Sequence, residues 1–187
     1  MELYHGTNYE SAINIIENGI DLSKGKAEVD FGSGFYTTTD FSKAQKRALF
    51  KAKNEKEKAC VVVLEADETR FNALEVKRFD RPDCTWGEFV LHNRMGSLLL
   101  KQCNITTHNL DQKYDLVIGE IADGKVSSIV YQVKKGELNV KDVNFDDFLT
   151  DEKGSYGIQV SFHTLAALSC IKTVKCDKIT VDNEKGR

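Results

Sequence analysis

Asp30-Phe31-Gly32-Ser33-Gly34-Phe35-Tyr36-Thr37-Thr38-Thr39-Asp40 is the stretch on which the reading of the chain turns. Gly32 and Gly34 permit a positive φ or a close backbone approach. Phe35 to Thr39 is aromatic and β-branched, the composition of a strand. Asp40 then stands where an N-cap belongs, ahead of a lysine- and alanine-rich helix from Phe41 to about Asn54. A glycine turn feeding a strand sets Tyr36 beside a backbone bend, where a ligand can approach. A tight turn into a core strand, with Tyr36 packed inside, accounts for the same residues.

Outward from this stretch the chain mixes strands and helices. On the N-terminal side, Leu3 to Gly6 reads as a short strand carrying His5. Ser11 to Asn18 reads as a helix with Ala12, Ile15 and Ile16 on one face, stopped by Asn18-Gly19. Asp21 to Val29 is a polar loop. On the other side, Cys60 to Ala66 is a near-continuous apolar run, suited to a central strand buried on both faces. Phe71 to Phe79 reads as another strand. Arg81-Pro82-Asp83 breaks the chain, and Thr85 can cap a helix in which Trp86, Phe89, Val90 and Asn93 share a face and which Gly96 ends. Tyr114 to Gly119 is a further apolar strand, running into the turn signal Asp123-Gly124. Val126 to Lys134 fits helix or strand and is taken as helix. Asn144 to Leu149 reads as a short helix and Ile158 to His163 as a strand. Thr164 caps a brief helix through Cys170, and Val174 to Val181 is a last strand before a polar tail, Asp182 to Arg187. These elements predict one α+β domain over residues 1–187, with six or seven strands.

The chain has 187 residues, 41% of them hydrophobic and 29% charged, the balance of an ordinary globular domain with a real core. A net charge of −3 excludes a global basic field for tight nonspecific nucleic-acid binding and leaves a local basic patch open. The Lys43 to Lys58 run reads as a solvated helix face or as a surface for an acidic partner. No apolar run approaches the ~20 residues of a membrane span, and Met1-Glu2-Leu3-Tyr4 does not read as a signal peptide. Five scattered cysteines, without Cys-x-x-Cys spacing, predict reduced thiols, a cytoplasmic location and no metal centre.

Two short motifs, His5-Gly6-Thr7 and Gly34-Phe35-Tyr36, are separated by the first helix. Further motifs follow in order: Trp86-x-x-Phe89-Val90-x-x-Asn93-Arg94, then Tyr114-Asp115-Leu116-Val117-Ile118-Gly119-x-x-Ala122-Asp123, then Gln159-Val160-Ser161-Phe162-His163-Thr164. Together they resemble the ADP-ribosyltransferase clan in its diphtheria-toxin and poly(ADP-ribose)-polymerase branch, and within it a bacterial family long catalogued as a domain of unknown function. The resemblance runs from Leu3 to about Val174. It implies split antiparallel β-sheets with flanking helices, and NAD as substrate. It implies that His5 and Gly6 grip NAD, that Thr7 supports the adenosine side, and that Tyr36 forms a wall on which nicotinamide stacks. Cleavage of nicotinamide from NAD passes through an oxocarbenium-like ribose, so such a site must hold the dinucleotide and leave the anomeric carbon open.

The sequence departs from the polymerase-like pattern at one point. Where that pattern has a glutamate on a late strand, this chain offers Gln159, which can bond the ribose but cannot act as a general base. Asp123 is a second candidate for the carboxylate, and an ordinary turn residue explains it equally. Arg94 can fork onto the pyrophosphate. Asn93 serves either the site or a buried hydrogen bond, and His163 contacts substrate or caps the next helix. Gly34 can lend a backbone N–H, although the turn already accounts for it.

The resulting expectation is a cytoplasmic mono-ADP-ribosyltransferase. Its catalytic candidates are Gln159, Tyr36 and Asp123. Its NAD-binding candidates are His5, Gly6, Thr7, Gly34, Tyr36, Asn93 and Arg94. By analogy with small stand-alone transferases it would be a toxin or defence enzyme, with a protein or nucleic acid as acceptor and an antitoxin as possible partner. The rival from another class is a non-catalytic module that binds NAD or ADP-ribose, favoured by Gln159 in place of glutamate. A structural domain that has lost the cofactor is a third.

Overall fold

The threonine-rich segment forms a strand, β2 (Phe35–Thr38), and it lies near the middle of a seven-stranded sheet. The structure, a computed structural model, describes residues 1–55, 57–96, 107–122, 125–144 and 157–179. The other strands are β1 (Glu2–Asn8), β3 (Ala59–Ala66), β4 (Val76–Arg78), β5 (Leu116–Glu120), β6 (Ile158–Phe162) and β7 (Ile171–Ile179), and the order across the sheet is β4-β5-β6-β2-β1-β3-β7. Every pairing is antiparallel except β4 with β5. The fold is α+β.

The register shows where this sheet is weak. β1 and β3 pair over seven positions, from Glu2 opposite Glu65 to Asn8 opposite Ala59, and β2 and β6 pair over four. Between them, β1 and β2 share a single position, Tyr4 opposite Thr38. The sheet therefore divides into a β1-β3-β7 half and a β2-β6-β5-β4 half, which part between β1 and β2.

Helices cover both faces. They are α1 (Tyr9–Asn18), α2 (Phe41–Glu55), α3 (Cys84–Met95), α4 (Lys125–Lys135) and the short α5 (Leu165–Leu168). One core, with Leu3, Ala12, Ile15, Phe35, Val62, Leu64, Ile118 and Phe162, spans both halves on the α1 side. On the opposite side the halves are covered separately. Ala44, Ala48 and Ala52 of α2 pack with Val61 against β1 and β3. Phe31, Phe79, Trp86, Phe89, Val90, Val117, Val126 and Val130 join α3 and α4 to the other half. β3 is buried almost throughout, as its apolar run predicts.

Several sequence readings shift. Phe71 to Phe79 is not one strand: residues Glu68–Ala73 form a 3-10 turn, with Asp67 capping Thr69, and only Val76–Arg78 pairs. Asp83 rather than Thr85 caps α3, accepting from the Trp86 N–H at 2.9 Å. Asp40 does cap α2, accepting from the Ser42 N–H at 2.8 Å. Gly96 ends α3 at φ 59°, and Val126 to Lys134 lies in a helix. The loop over Asp21 to Val29 contains one 3-10 turn, Leu22–Lys24. The predicted helix at Asn144 to Leu149 falls, after Asn144, outside the described residues, as do the polar tail and the end of the last strand.

The thiol prediction is overturned. Cys60 and Cys176 are joined in a disulfide between β3 and the edge strand β7, with 6.5 Å between their Cα atoms. Both side chains project to the same face two register steps apart, a proximity that spacing along the sequence does not reveal. Cys170 is buried and outside this disulfide. No helix of the described residues is long and apolar enough to cross a membrane.

Candidate functional site

The parting of β1 from β2 leaves backbone groups beside Tyr4 and Thr38 outside a shared ladder. His5 sits at this edge. Its ring stacks on Phe35, with centroids 4.5 Å apart, and its Nδ1 lies 2.7 Å from the Tyr36 carbonyl oxygen. A carbonyl only accepts, so Nδ1 carries the proton and Nε2 presents a lone pair. Burial, helped by the positive charges of Lys51 and Arg47, pushes the His5 pKa down to about 4 against the carbonyl's opposing pull. The ring is therefore neutral at physiological pH, and Nε2 has no partner among the described residues.

Gly6 and Thr7 are held by α2. A Cβ on Gly6 would lie 1.9 Å from the Ala44 carbonyl oxygen, so only glycine lets the helix sit this close to β1. Thr7 is fully buried and its hydroxyl accepts from Lys51 Nζ at 3.0 Å. The sequence had presented Lys51 and Arg47 as part of a solvated charge run. The structure brings both to the flank of the His5 edge.

A second cluster lies across β2, around Asp30. Its carboxylate accepts from Arg94 Nε at 2.7 Å, from Gln159 Nε2 at 2.7 Å and from the Ala122 N–H at 3.0 Å, and pairs with Arg94 Nη2 at 2.5 Å. Arg94 also donates to the Ser127 hydroxyl at 2.9 Å and to the Ala122 carbonyl at 2.6 Å. Asp30 is 6% exposed. A buried carboxylate with this many donors is satisfied, and so is the guanidinium that neutralises it. Arg94 is thus engaged by Asp30 and does not present its fork to a pyrophosphate.

Gln159 is oriented by the same cluster. Its amide nitrogen donates to Asp30 Oδ2 and, at 3.2 Å, to the Glu120 carbonyl oxygen. Both partners are acceptors, which fixes the NH2 group toward them and leaves Oε1 as the outward atom. No described residue donates to Oε1, and no side-chain oxygen of the described residues is both sealed from solvent and unpartnered. Gln159 therefore offers an acceptor oxygen, the hydrogen-bonding polarity of a glutamate without its charge.

Tyr36 stands between the clusters. Its hydroxyl donates to the Gly32 carbonyl at 2.6 Å and accepts from the Phe31 N–H at 2.9 Å, which ties the ring back to the glycine turn. Burial and the nearby Asp30 charge hold its pKa well above the ordinary tyrosine value. Gly34 serves packing: a Cβ there would lie 2.7 Å from His163 Nδ1 and from the Phe162 carbonyl oxygen. His163 is buried, with Nδ1 on the Ser33 carbonyl and Nε2 on the Ser161 hydroxyl, each at 2.8 Å. It neither caps α5, which Thr164 does, nor faces an open surface. Asn93 is completely buried, donating to the Phe89 carbonyl and accepting from the Asn109 N–H, so it anchors the loop behind the site instead of lining it. Asp123 lies outside the described residues.

The structure places His5, Gly6 and Thr7 on β1, and Tyr36, Gln159 and Arg94 on the adjacent strands β2 and β6 and the helix α3. His5 reaches the second group through the Tyr36 carbonyl, and Gln159 pairs with Thr38 of the same strand. Asp30 is the residue that sequence reasoning missed. It opens the stretch that drew attention to the fold, but its partners lie 64 and 129 residues away, and no local pattern announces them.

The family described as "Protein of unknown function (DUF3990)" matches the chain over residues 1–173. No curated protein and no solved structure matches it.

Proposed function

The chain belongs to the DUF3990 family, and we propose that it is an NAD-dependent mono-ADP-ribosyltransferase. The observation that carries this reading is the open pair of acceptors on either side of β2. His5 Nε2 and Gln159 Oε1 have no partner among the described residues, while the other polar atom of each group is bonded. Sugar hydroxyls are the donors that such acceptors suit. The motif resemblance from Leu3 to Val174 supports the same substrate.

When bound, NAD supplies a glycosidic bond whose cleavage releases nicotinamide. His5, neutral and held by Tyr36, accepts from an adenosine ribose hydroxyl. Gln159 Oε1 accepts from the 2′-hydroxyl of the nicotinamide ribose and polarises it without taking a proton. Tyr36 holds a rigid wall because both ends of its hydroxyl are engaged. Asp30 does not act on substrate; it sets the Gln159 amide. With no side-chain base at position 159, the acceptor's proton leaves to solvent, which suits an acceptor that is already nucleophilic. In this reading the acceptor is a protein or nucleic acid. A toxin or defence role, held in check by an antitoxin, follows from the resemblance alone.

The test is calorimetric titration with NAD, beside His5→Ala and Tyr36→Ala, and nicotinamide release with Gln159→Ala. Wild-type binding that both substitutions weaken at least tenfold, with turnover lost in Gln159→Ala, is the expected result (about 1.4 kcal/mol per tenfold). No binding at millimolar NAD sinks the reading. NAD bound by every form, with no nicotinamide released in the presence of cell extract as acceptor, favours the non-catalytic module.

A further inference from the structure

Lys43, Arg47 and Lys51 recur at four-residue spacing on α2. That spacing sets them along one flank over about 12 Å. The flank has a fixed place, because the Ala44, Ala48 and Ala52 stripe beside it packs on β1 at Gly6. At one end Lys43 lies against Gly157, just before β6. At the other, Lys51 Nζ donates to Thr7 at the end of β1. The row therefore runs past the line along which the two halves of the sheet part.

Packing alone does not account for the positive charge of Arg47 and Lys51. Like charges four residues apart on a helix repel one another. Neither Arg47 nor Lys51 has a carboxylate partner among the described residues. Arg47 is exposed, its guanidinium 5.7 Å from the centre of the Phe50 ring, so its donors remain available. Lys51 spends one of its three donors on Thr7 and keeps two. Both sit close enough to His5 for their charge to be felt at its ring. Arg94, the other arginine considered for a phosphate, is consumed by Asp30.

We propose that Arg47 and Lys51 hold the pyrophosphate of the dinucleotide whose ribose meets His5. The guanidinium forks onto two phosphate oxygens and the ammonium takes a third. This rests on the NAD reading for the identity of the ligand, and on the α2 geometry for the residues that hold it.

The experiment titrates wild type, Arg47→Gln, Lys51→Gln, the double variant, and Lys46→Gln with Lys53→Gln as a charge-matched control. The probes are NAD, ADP and adenosine, and melting curves check folding. Each single substitution should weaken ADP and NAD about tenfold and the double variant about a hundredfold, as expected for charge-assisted contacts. Adenosine and the control should be unaffected. Wild-type affinity for ADP in the double variant, no ADP binding by wild type, or an equal loss in the control overturns the assignment. NAD bound equally by wild type and double variant sinks the phosphate clamp and leaves the transferase reading standing. ADP bound through Arg47 and Lys51 by a protein that does not bind NAD does the reverse.

Discussion

The two halves of the sheet handle polar groups in opposite ways. Around β1, the groups near the parting are left open: His5 has one nitrogen bonded, and Arg47 and Lys51 carry no counter-charge among the described residues. Around β6, the polar groups are closed on one another: Asp30, Arg94, Ala122 and Gln159 exchange bonds until almost every donor is used. A region of open groups has capacity for a ligand and little intrinsic rigidity. A region of closed groups has rigidity and aims a single atom, Gln159 Oε1. The two regions lie on either side of one strand, β2.

The largest effect should come from opening the closed half. Asp30→Ala leaves the half-buried Arg94 guanidinium with only the Ala122 carbonyl and Ser127 to receive it. Breaking a buried ion pair from one side costs about 3–5 kcal/mol. For 187 residues that lowers Tm by roughly 6–20 °C. Gln159→Glu would set a second carboxylate 2.7 Å from Asp30, so it should destabilise as well, and Asp30→Asn in the same chain should recover part of the loss. Thermal melts read all three. A Gln159→Glu protein as stable as wild type would show that Asp30 does not dictate the amide.

That coupling also explains the departure seen in the sequence. Gln159 stood out as a glutamate replaced, which favoured a non-catalytic module. Beside Asp30 a glutamate would face a like charge, whereas an amide donates to Asp30 and keeps its oxygen outward. The sequence could expose the anomaly but not its cause, because the cause is a tertiary contact. The same holds for Cys60 and Cys176, separated by 116 residues yet joined across β3 and β7. What the sequence did disclose was periodic or local: the apolar run of β3, the Asp40 cap, the Gly96 stop. The strand predicted over Phe71 to Phe79 failed because Asp67 captures Thr69 and starts a turn, a competition that β-propensity does not weigh. Asn93 and Trp86 were rightly put on one helix, but its burial extends to Leu91, His92 and Met95, which a single face does not predict.

A smaller effect should come from the open half. Gly6→Ala drives a methyl into the Ala44 carbonyl, where no flexible side chain can yield, so α2 must lift from β1. Overpacking of this kind costs about 1–3 kcal/mol. The displacement carries Arg47 and Lys51 away from His5, so NAD affinity should fall further than stability does. Comparing the melting temperature with the NAD dissociation constant separates the two. Equal fractional losses would mean that the open half is only a packing surface.

The smallest effect, and the finest discrimination between the halves, lies in the histidines. His5 and His163 both have lowered pKa values, chiefly from burial. His163 is bonded at both nitrogens, to Ser33 and Ser161, while His5 is bonded at one. For His5 the folded value of about 4 lies below the unfolded value of about 6.5, so between those limits the unfolded chain binds the extra proton. The His5 contribution to stability is therefore constant above about pH 7 and is lost as pH drops through 6.5 toward 4, before most carboxylates titrate. His5→Gln should flatten that limb by part of a proton and leave the His163 contribution in place. NAD affinity should stay level from pH 8 to 6, because the neutral ring is the acceptor, and decline only as His5 gains its proton. NMR titration of the two rings gives the direct comparison. If the His5 ring titrated near 6.5, its open nitrogen would be fully hydrated, and the contrast between an open and a closed half would lose its most specific support.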